Sequence, residues 1–219
     1  MSLNALRDTA ETIARGAGAL IQDYAAQRRN QAAVKSTSIN IVTEADKASE
    51  AYITQALQAV YPDHHIYGEE GGGYGQDPAS APFRWYVDPI DGTTSYAHGY
   101  PGYAINLAVL DASGEPVVGI TYDPNLDECF SAIKGQGAWL NNTRLQVSAV
   151  ADLVGALVVS GFPYDRHTAA NNNTAAWAAF ARRTQGLRRS GSAALDMAYV
   201  AAGRADGYWE RGPEPWDYM

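Results

Sequence analysis

Cysteine is almost absent from this chain of 219 residues: Cys129 stands alone. A single thiol excludes an intrachain disulfide and suits a reducing compartment, so a cytoplasmic protein is expected. Long apolar runs are missing too. No stretch approaches the ~18 residues of a membrane-spanning helix, and the longest candidates, such as residues 156–160, are strand-sized. Residues 1–10 carry Arg7 and Asp8 without an apolar segment, so no secretory signal is expected there. Charged residues are sparse at 18%, and cations are the scarcer sign, 16 Lys+Arg against 24 Asp+Glu, for a formal net charge of −8. That balance argues against a nucleic-acid surface, which needs a basic patch. It leaves an anionic substrate open, because carboxylates gather divalent cations and the cations attract phosphate.

What is present is a chain with 46% hydrophobic residues, enough for a real core. Ala5, Ile13, Ala17, Leu20, Ile21 and Tyr24 fall near a 3.6-residue period, which predicts an amphipathic helix over residues 2–28. Residues 31–40 are polar and aperiodic and read as a loop. A second helix is expected over residues 44–60, capped by Thr43 and stopped by Pro62. A short strand at residues 65–67 precedes Gly68-Glu69-Glu70-Gly71-Gly72-Gly73, whose glycines are expected to break any regular element. Residues 83–87 read as a strand whose tip meets a turn at Asp88-Pro89. Strands at 103–110, 117–122 and 128–133 are separated by turn signals at Ser113-Gly114 and Asp123-Pro124-Asn125. The Asp123 segment lacks the glycine and final glutamate of a calcium loop and reads as a hairpin turn. Strand 155–160, helix 172–183, a strand near Leu187, helix 192–202 and strand 206–209 complete the chain. There is no internal repeat and no long linker. Two helices, an antiparallel run and then alternating strands and helices predict a layered α+β or α/β sandwich.

Asp88-Pro89-Ile90-Asp91-Gly92-Thr93-Thr94 is the strongest chemical signal. Proline stiffens a turn carrying two carboxylates three residues apart. Such a turn can aim both, with the carbonyl of Ile90, at one ion. Hard oxygen donors without His or Cys in the segment favour Mg²⁺ over Zn²⁺. Gly92-Thr93-Thr94 then offers backbone N–H groups to an anion. Spacing alone leaves a solvated strand-end turn equally open. Glu69, which also follows a short strand, is a candidate to join Asp88. Asp46 lies in the first turn of the second helix, as a dipole-compensating residue or as a base orienting a water. Gly191-Ser192-Ala193 opens a later helix, and Glu210 and Trp216-Asp217 follow it.

Together these segments resemble the inositol monophosphatase family of metal-dependent, lithium-sensitive phosphatases. Val-Thr-x-x-Asp at Asp46, Gly-Glu-Glu at Glu69, Asp-Pro-Ile-Asp-Gly-Thr at Asp88 and a late Trp-Asp at Asp217 occur in the family's order and with similar spacing. The resemblance implies an α/β (α+β) fold, a layered αβαβα sandwich that is usually a homodimer. It implies a single phosphatase domain with an N-terminal α+β lobe over about residues 1–148 and a C-terminal α/β lobe over about 149–219. Family members continue for several tens of residues past this Trp-Asp, so the C-terminal layer is expected to be incomplete here. By resemblance, Glu69, Asp88, the Ile90 carbonyl, Asp91 and Asp217 ligate two or three Mg²⁺ ions. Asp46, Thr93 and Glu69 are then the catalytic group, with Asp46 and Thr93 activating a water. Gly92, Thr93 and Thr94 hold the phosphate, and Gly191, Ser192, Ala193, Glu210 and Asp217 face the substrate. Ser95 and Asn40 depart from the common family residues, asparagine and aspartate. The expected activity is hydrolysis of a small phosphate monoester, with myo-inositol monophosphate first. Histidinol phosphate, fructose 1,6-bisphosphate, NADP and nucleotide 3′-phosphates are alternatives, as is a noncatalytic regulatory protein keeping the fold. The expected partner is a small phosphorylated substrate, with neither nucleic acid nor membrane.

Overall fold

In the computed structural model, residues 2–27, 32–34 and 41–219 are described. Helix α1 (Leu3–Ala26) begins at Ser2, whose hydroxyl accepts from the amide of Ala5. It buries Leu6, Ala10, Ile13, Ala14, Ala17 and Ile21, the i, i+3, i+4 stripe that its sequence pattern predicts. Each fully buried Leu or Ile contributes about 1.5–3 kcal/mol. Residues 35–40 and Arg28, and with them the departure at Asn40, lie outside the described residues. The expected loop over residues 31–40 needs correction: β1 (Ala32–Val34) pairs antiparallel with β2 (Ile41–Thr43). A three-residue pair leaves no periodicity to read. Helix α2 (Glu44–Val60) starts as expected, with Thr43 and Asp46 forming a capping box.

Next come β3 (His65–Gly68), β4 (Gly72–Gly75), β5 (Phe83–Asp91), α3 (Thr93–Ala97), β6 (Ala104–Asp111), β7 (Pro116–Asp123), β8 (Glu128–Ile133), β9 (Gly137–Leu140) and β10 (Thr143–Arg144). They form one sheet in the order β10-β9-β8-β7-β6-β5-β3-β4. Most neighbours are antiparallel hairpin partners, and β3 runs parallel to β5. Strand β4 overturns the expectation that the glycines at 71–73 exclude a regular element. It is an edge strand on β3 in which Tyr74 is the one side chain, so pairing costs no packing conflict. Strand β5 likewise runs four residues past Val87. Its pairing with β6 shifts register between Asp88 and Asp91, so Pro89, without an N–H, sits where no ladder bond is required. At the β7–β8 connection Asp123 Oδ1 accepts from the amides of Asn125 and Leu126, a hairpin turn as read.

The last third contributes β11 (Leu157–Ser160), α4 (Thr174–Ala181), β12 (Gly186–Arg188), α5 (Ala193–Ala201), β13 (Gly207–Trp209) and α6 (Pro215–Tyr218). Strands β12, β11 and β13 form a small parallel sheet. Two cores separate the layers. The larger lies between α1, α2 and the eight-stranded sheet, around Trp85, Leu107 and Ile120. On the other face Ala104 and Phe130 meet Leu195 and Ala198 of α5. Helix α5 then packs on β11 and β13, and α4 lies outermost, with Phe180 stacked on Trp209 at 4.3 Å. The sequence of layers is α, β, α, β, α, the expected mixed sandwich.

Candidate active site

The site lies where the C-terminal end of β5 meets the segment entering α5 and the short helix α6. Side chains three apart in a regular strand point to opposite faces. The register shift between Asp88 and Asp91 adds the residue needed to turn both toward one cavity. Asp217 arrives from α6, and one oxygen from each of Asp88, Asp91 and Asp217 lies within 4.8 Å of the others. Glu69 reaches the same cavity because β3 and β5 are parallel neighbours. Its amide donates to the carbonyl of Val87 at 3.1 Å, and its side chain hydrogen-bonds Asp88. Glu69 stands outside the 4.8 Å group of three. The cavity measures about 690 Å³.

Each carboxylate is held from behind. Asp88 Oδ1 accepts the amide of Ile90 at 3.0 Å. Asp91 Oδ2 accepts the hydroxyl of Ser192 and the amide of Ala194, both at 2.6 Å. Asp217 Oδ2 accepts the amide of Glu214 at 2.7 Å, closing a capping box at the start of α6. In each case these bonds fix one carboxylate oxygen. Burial drives the pKa of Asp88 well above the carboxylate range, and the charges of Glu69, Asp91 and Asp217 push it further. Burial likewise raises Asp91 against the hydrogen bonds from Ser192 and Ala194, and raises Asp217 with help from the charge of Asp91. None of the three makes an ion pair among the described residues.

Asp46 and Thr93 come together as expected. Asp46 is buried; its Oδ2 accepts the Thr43 amide at 2.7 Å and hydroxyl at 2.5 Å, and its Oδ1 accepts the Thr93 hydroxyl at 3.0 Å. The same hydroxyl lies 3.1 Å from the carbonyl of Ile90. Burial raises Asp46, although its three hydrogen bonds oppose the rise. Gly92 has φ +96°, and a β-carbon there would sit 2.5 Å from the carbonyl of Gly102. Only glycine fits this turn. Gly92, Thr93 and Thr94 all line the cavity, as do Gly191, Ser192, Ala193 and Glu210. The hydroxyl of Ser192 is committed, donating to Asp91 and accepting the Leu195 amide at 3.1 Å as the cap of α5. Glu210 Oε2 accepts the Tyr208 hydroxyl at 2.7 Å, and burial raises its pKa.

Three residues matter here that the sequence did not single out. Asn106, opposite Asp88 in the β5–β6 register, donates from Nδ2 to the carbonyl of Trp216 at 2.6 Å and so moors α6. A buried asparagine inside the apolar run of β6 was the available signal. Asp196 lies buried beside the cavity, one oxygen lacking a hydrogen-bond partner, and burial raises its pKa to about 7. In sequence it is one more acidic residue in a helix's first turn. Glu50, on the buried face of α2, touches the Glu69 loop.

Comparison with known proteins gives the family. A sequence model described as "Inositol monophosphatase family" matches residues 2–219. The chain belongs to the inositol monophosphatase family. It is 46% identical over 178 residues to an inositol-1-monophosphatase of Synechocystis sp., a match over 81% of this chain and 61% of that relative. The chain thus spans less than two thirds of that curated relative. It is 40% identical over 209 residues to the Nus factor SuhB of Escherichia coli K12, covering 94% of this chain and 76% of that protein. The solved inositol monophosphatase of Anabaena (Nostoc) sp. PCC 7120 superposes with a TM-score of 0.86 at 42% identity, over 100% of this chain and 79% of that one. No helix among the described residues is long and apolar enough to cross a membrane.

The residues fit a hard divalent cation. Every donor at the centre is oxygen; Asp88 and Asp91 are buried and Asp217 half-buried, and among the described residues none of the three is ion-paired to a Lys, Arg or His. Buried like charges stay ionised only when paired, and oxygen donors suit Mg²⁺.

Proposed function

We propose that the chain is a Mg²⁺-dependent phosphomonoesterase acting on a small polyol or sugar phosphate, myo-inositol monophosphate first. The convergence of Asp88, Asp91 and Asp217 carries this reading. With Glu69 and the carbonyl of Ile90 they would hold two or three Mg²⁺ ions. Bound there, Mg²⁺ supplies Lewis-acid polarisation of the phosphoryl group, a lowered pKa for water and neutralisation of the leaving oxygen.

The chain's own residues supply position and proton transfer. Thr93 is held between Asp46 and the Ile90 carbonyl, so its hydroxyl can take a proton from an attacking water while passing its own to Asp46. Burial makes Asp46 the stronger acceptor. Backbone N–H groups of Gly92, Thr93 and Thr94 would bind the phosphate, fixing it for in-line attack without a covalent intermediate. Gly191, Ser192, Ala193 and Glu210 would face the alcohol, with Ser192 contributing backbone because its hydroxyl is committed to Asp91. Glu210 would accept from substrate hydroxyls. A homodimer in the cytoplasm is part of this reading.

Phosphate release with Mg²⁺ tests it across inositol 1-phosphate, histidinol phosphate, fructose 1,6-bisphosphate, NADP and a nucleotide 3′-phosphate. The highest kcat/KM is expected for inositol 1-phosphate, with a selective loss in Glu210→Gln. A higher value for another member reassigns the substrate, and no release from any contradicts the activity. Relatives named Nus factor SuhB motivate a second reading, a regulatory binding protein that keeps the fold. Calorimetry that detects neither Mg²⁺ nor phosphate binding would favour it.

A further inference from the structure

One face of α2 grips three separate parts of the site. Asp46, Ser49 and Glu50 fall at i, i+3 and i+4, the spacing that aligns side chains on one side of a helix. Asp46 reaches Thr93, and Ser49 Oγ donates to the carbonyl of Pro89 at 3.0 Å, inside the register shift of β5. Glu50 takes hold of the third part. Its Oε2 accepts the amide of Glu70 at 2.8 Å, while its Oε1 accepts the amide of Gly71 at 2.7 Å and the hydroxyl of Tyr74 at 2.8 Å.

Glu50 is only 2% exposed, and it makes no ion pair among the described residues. A buried carboxylate is costly and persists where several good donors meet it. Here all three donors belong to the loop and edge strand that immediately follow Glu69. The end of β3 is shaped around the contact: a β-carbon on Gly68 would lie 2.5 Å from the Glu50 carboxyl carbon. A hydrophobic residue at position 50 would fill the same space without fixing any backbone. The carboxylate fixes two successive amides, and so the direction in which the chain leaves Glu69.

We infer that Glu50 is a positioning residue for the metal centre, holding the 69–71 loop so that Glu69 is presented to the site with Asp88. This rests on the metal reading above. Groups that orient a metal ligand typically govern about 10–100-fold in affinity. Glu50→Gln keeps the size but places an NH₂ donor against backbone N–H donors. Tyr74→Phe removes one of the three bonds and leaves the carboxylate on both amides.

The test is Mn²⁺ binding followed by electron paramagnetic resonance, and Mg²⁺ binding by calorimetry, with urea unfolding measured in parallel. Glu50→Gln is expected to weaken metal binding about 10-fold or more. Tyr74→Phe should weaken it by roughly threefold, the scale of one hydrogen bond. Glu50→Asp should recover part of the loss. Variants that lose urea stability but bind metal like the wild type would show a merely structural glutamate and overturn the inference. If Glu50→Gln does not fold, Tyr74→Phe decides alone, and unchanged affinity overturns it. A wild type that binds neither ion overturns the metal reading itself, and the inference with it.

Discussion

At the scale of single residues, the site is a set of carboxylates whose second oxygens are already spoken for. Thr93 is the most exposed to test, because its hydroxyl joins Asp46 to the Ile90 carbonyl. Thr93→Ala should lower kcat by about 10²–10⁴, the usual weight of a proton-transfer group, with little change in KM. A phosphate-release assay measures both, and a KM effect alone would make Thr93 a binding residue. Gly92 tests conformation instead of chemistry. With φ +96° and a carbonyl 2.5 Å from any β-carbon, Gly92→Ala should cost about 1–3 kcal/mol in urea unfolding. The chemical residues were legible in sequence because a short stiff turn carries three of them in seven positions. Asn106 and Glu50 were not, because what each does depends on a partner far along the chain. Asn106 serves α6, 110 residues later.

At the scale of elements, a helical period marks α1, a cap and a proline stop mark α2, and turn signals at Ser113-Gly114 and Asp123-Pro124-Asn125 separate the hairpin strands β6, β7 and β8. The failures share a cause. Strands β1 and β2 are three residues each, and β4 holds one side chain among its glycines, so no pattern could form. Proline usually ends a strand, so the sequence predicts a turn after Val87; the register shift at Pro89 lets β5 continue. That irregularity is also what turns Asp88 and Asp91 to one side, a detail that residue spacing cannot show. Helix α6 has four residues and depends on its mooring to β6. Asn106→Ala should therefore loosen Asp217 and weaken Mg²⁺ binding about 10-fold. Urea stability should fall by about 1–3 kcal/mol, because the Thr121 hydroxyl, which donates to Asn106 Oδ1 at 2.7 Å, loses its acceptor as well. Calorimetric titration checks the first and denaturation the second; a large loss of stability with unchanged affinity would relocate the role of Asn106 to the fold.

At the scale of the whole molecule, the buried acids tie stability to pH and metal. Burial raises the folded pKa of Asp88, Asp91 and Asp217 above the ordinary 3.8, and takes Asp196 to about 7. Between about pH 4 and 8 the folded chain therefore holds more protons than the unfolded chain. Stability of the metal-free protein should rise as pH falls from 8 toward 5, fully gained only near the unfolded value. The buried His64 opposes this: burial lowers its pKa below 6.5, so its contribution is lost as pH falls. Four carboxyls outweigh one imidazole. Saturating Mg²⁺ should remove most of the trend, because a cation replaces the protons at the site. Thermal midpoints at pH 5, 6, 7 and 8 with and without Mg²⁺ measure both, and a metal-free protein that is most stable at pH 8 would contradict the buried like-charge cluster. The layered order of the fold was legible from the order of helices and strands, whereas the meeting of Asp217 with Asp88 across 129 positions required the structure.

The proposed metal centre is tested most directly by calorimetric titration of Mg²⁺ into the wild type and Asp88→Asn. Saturable binding by the wild type, reduced at least about 10-fold in Asp88→Asn at unchanged fold, is the expected result. Equal binding by the two proteins, or none by either, would contradict it.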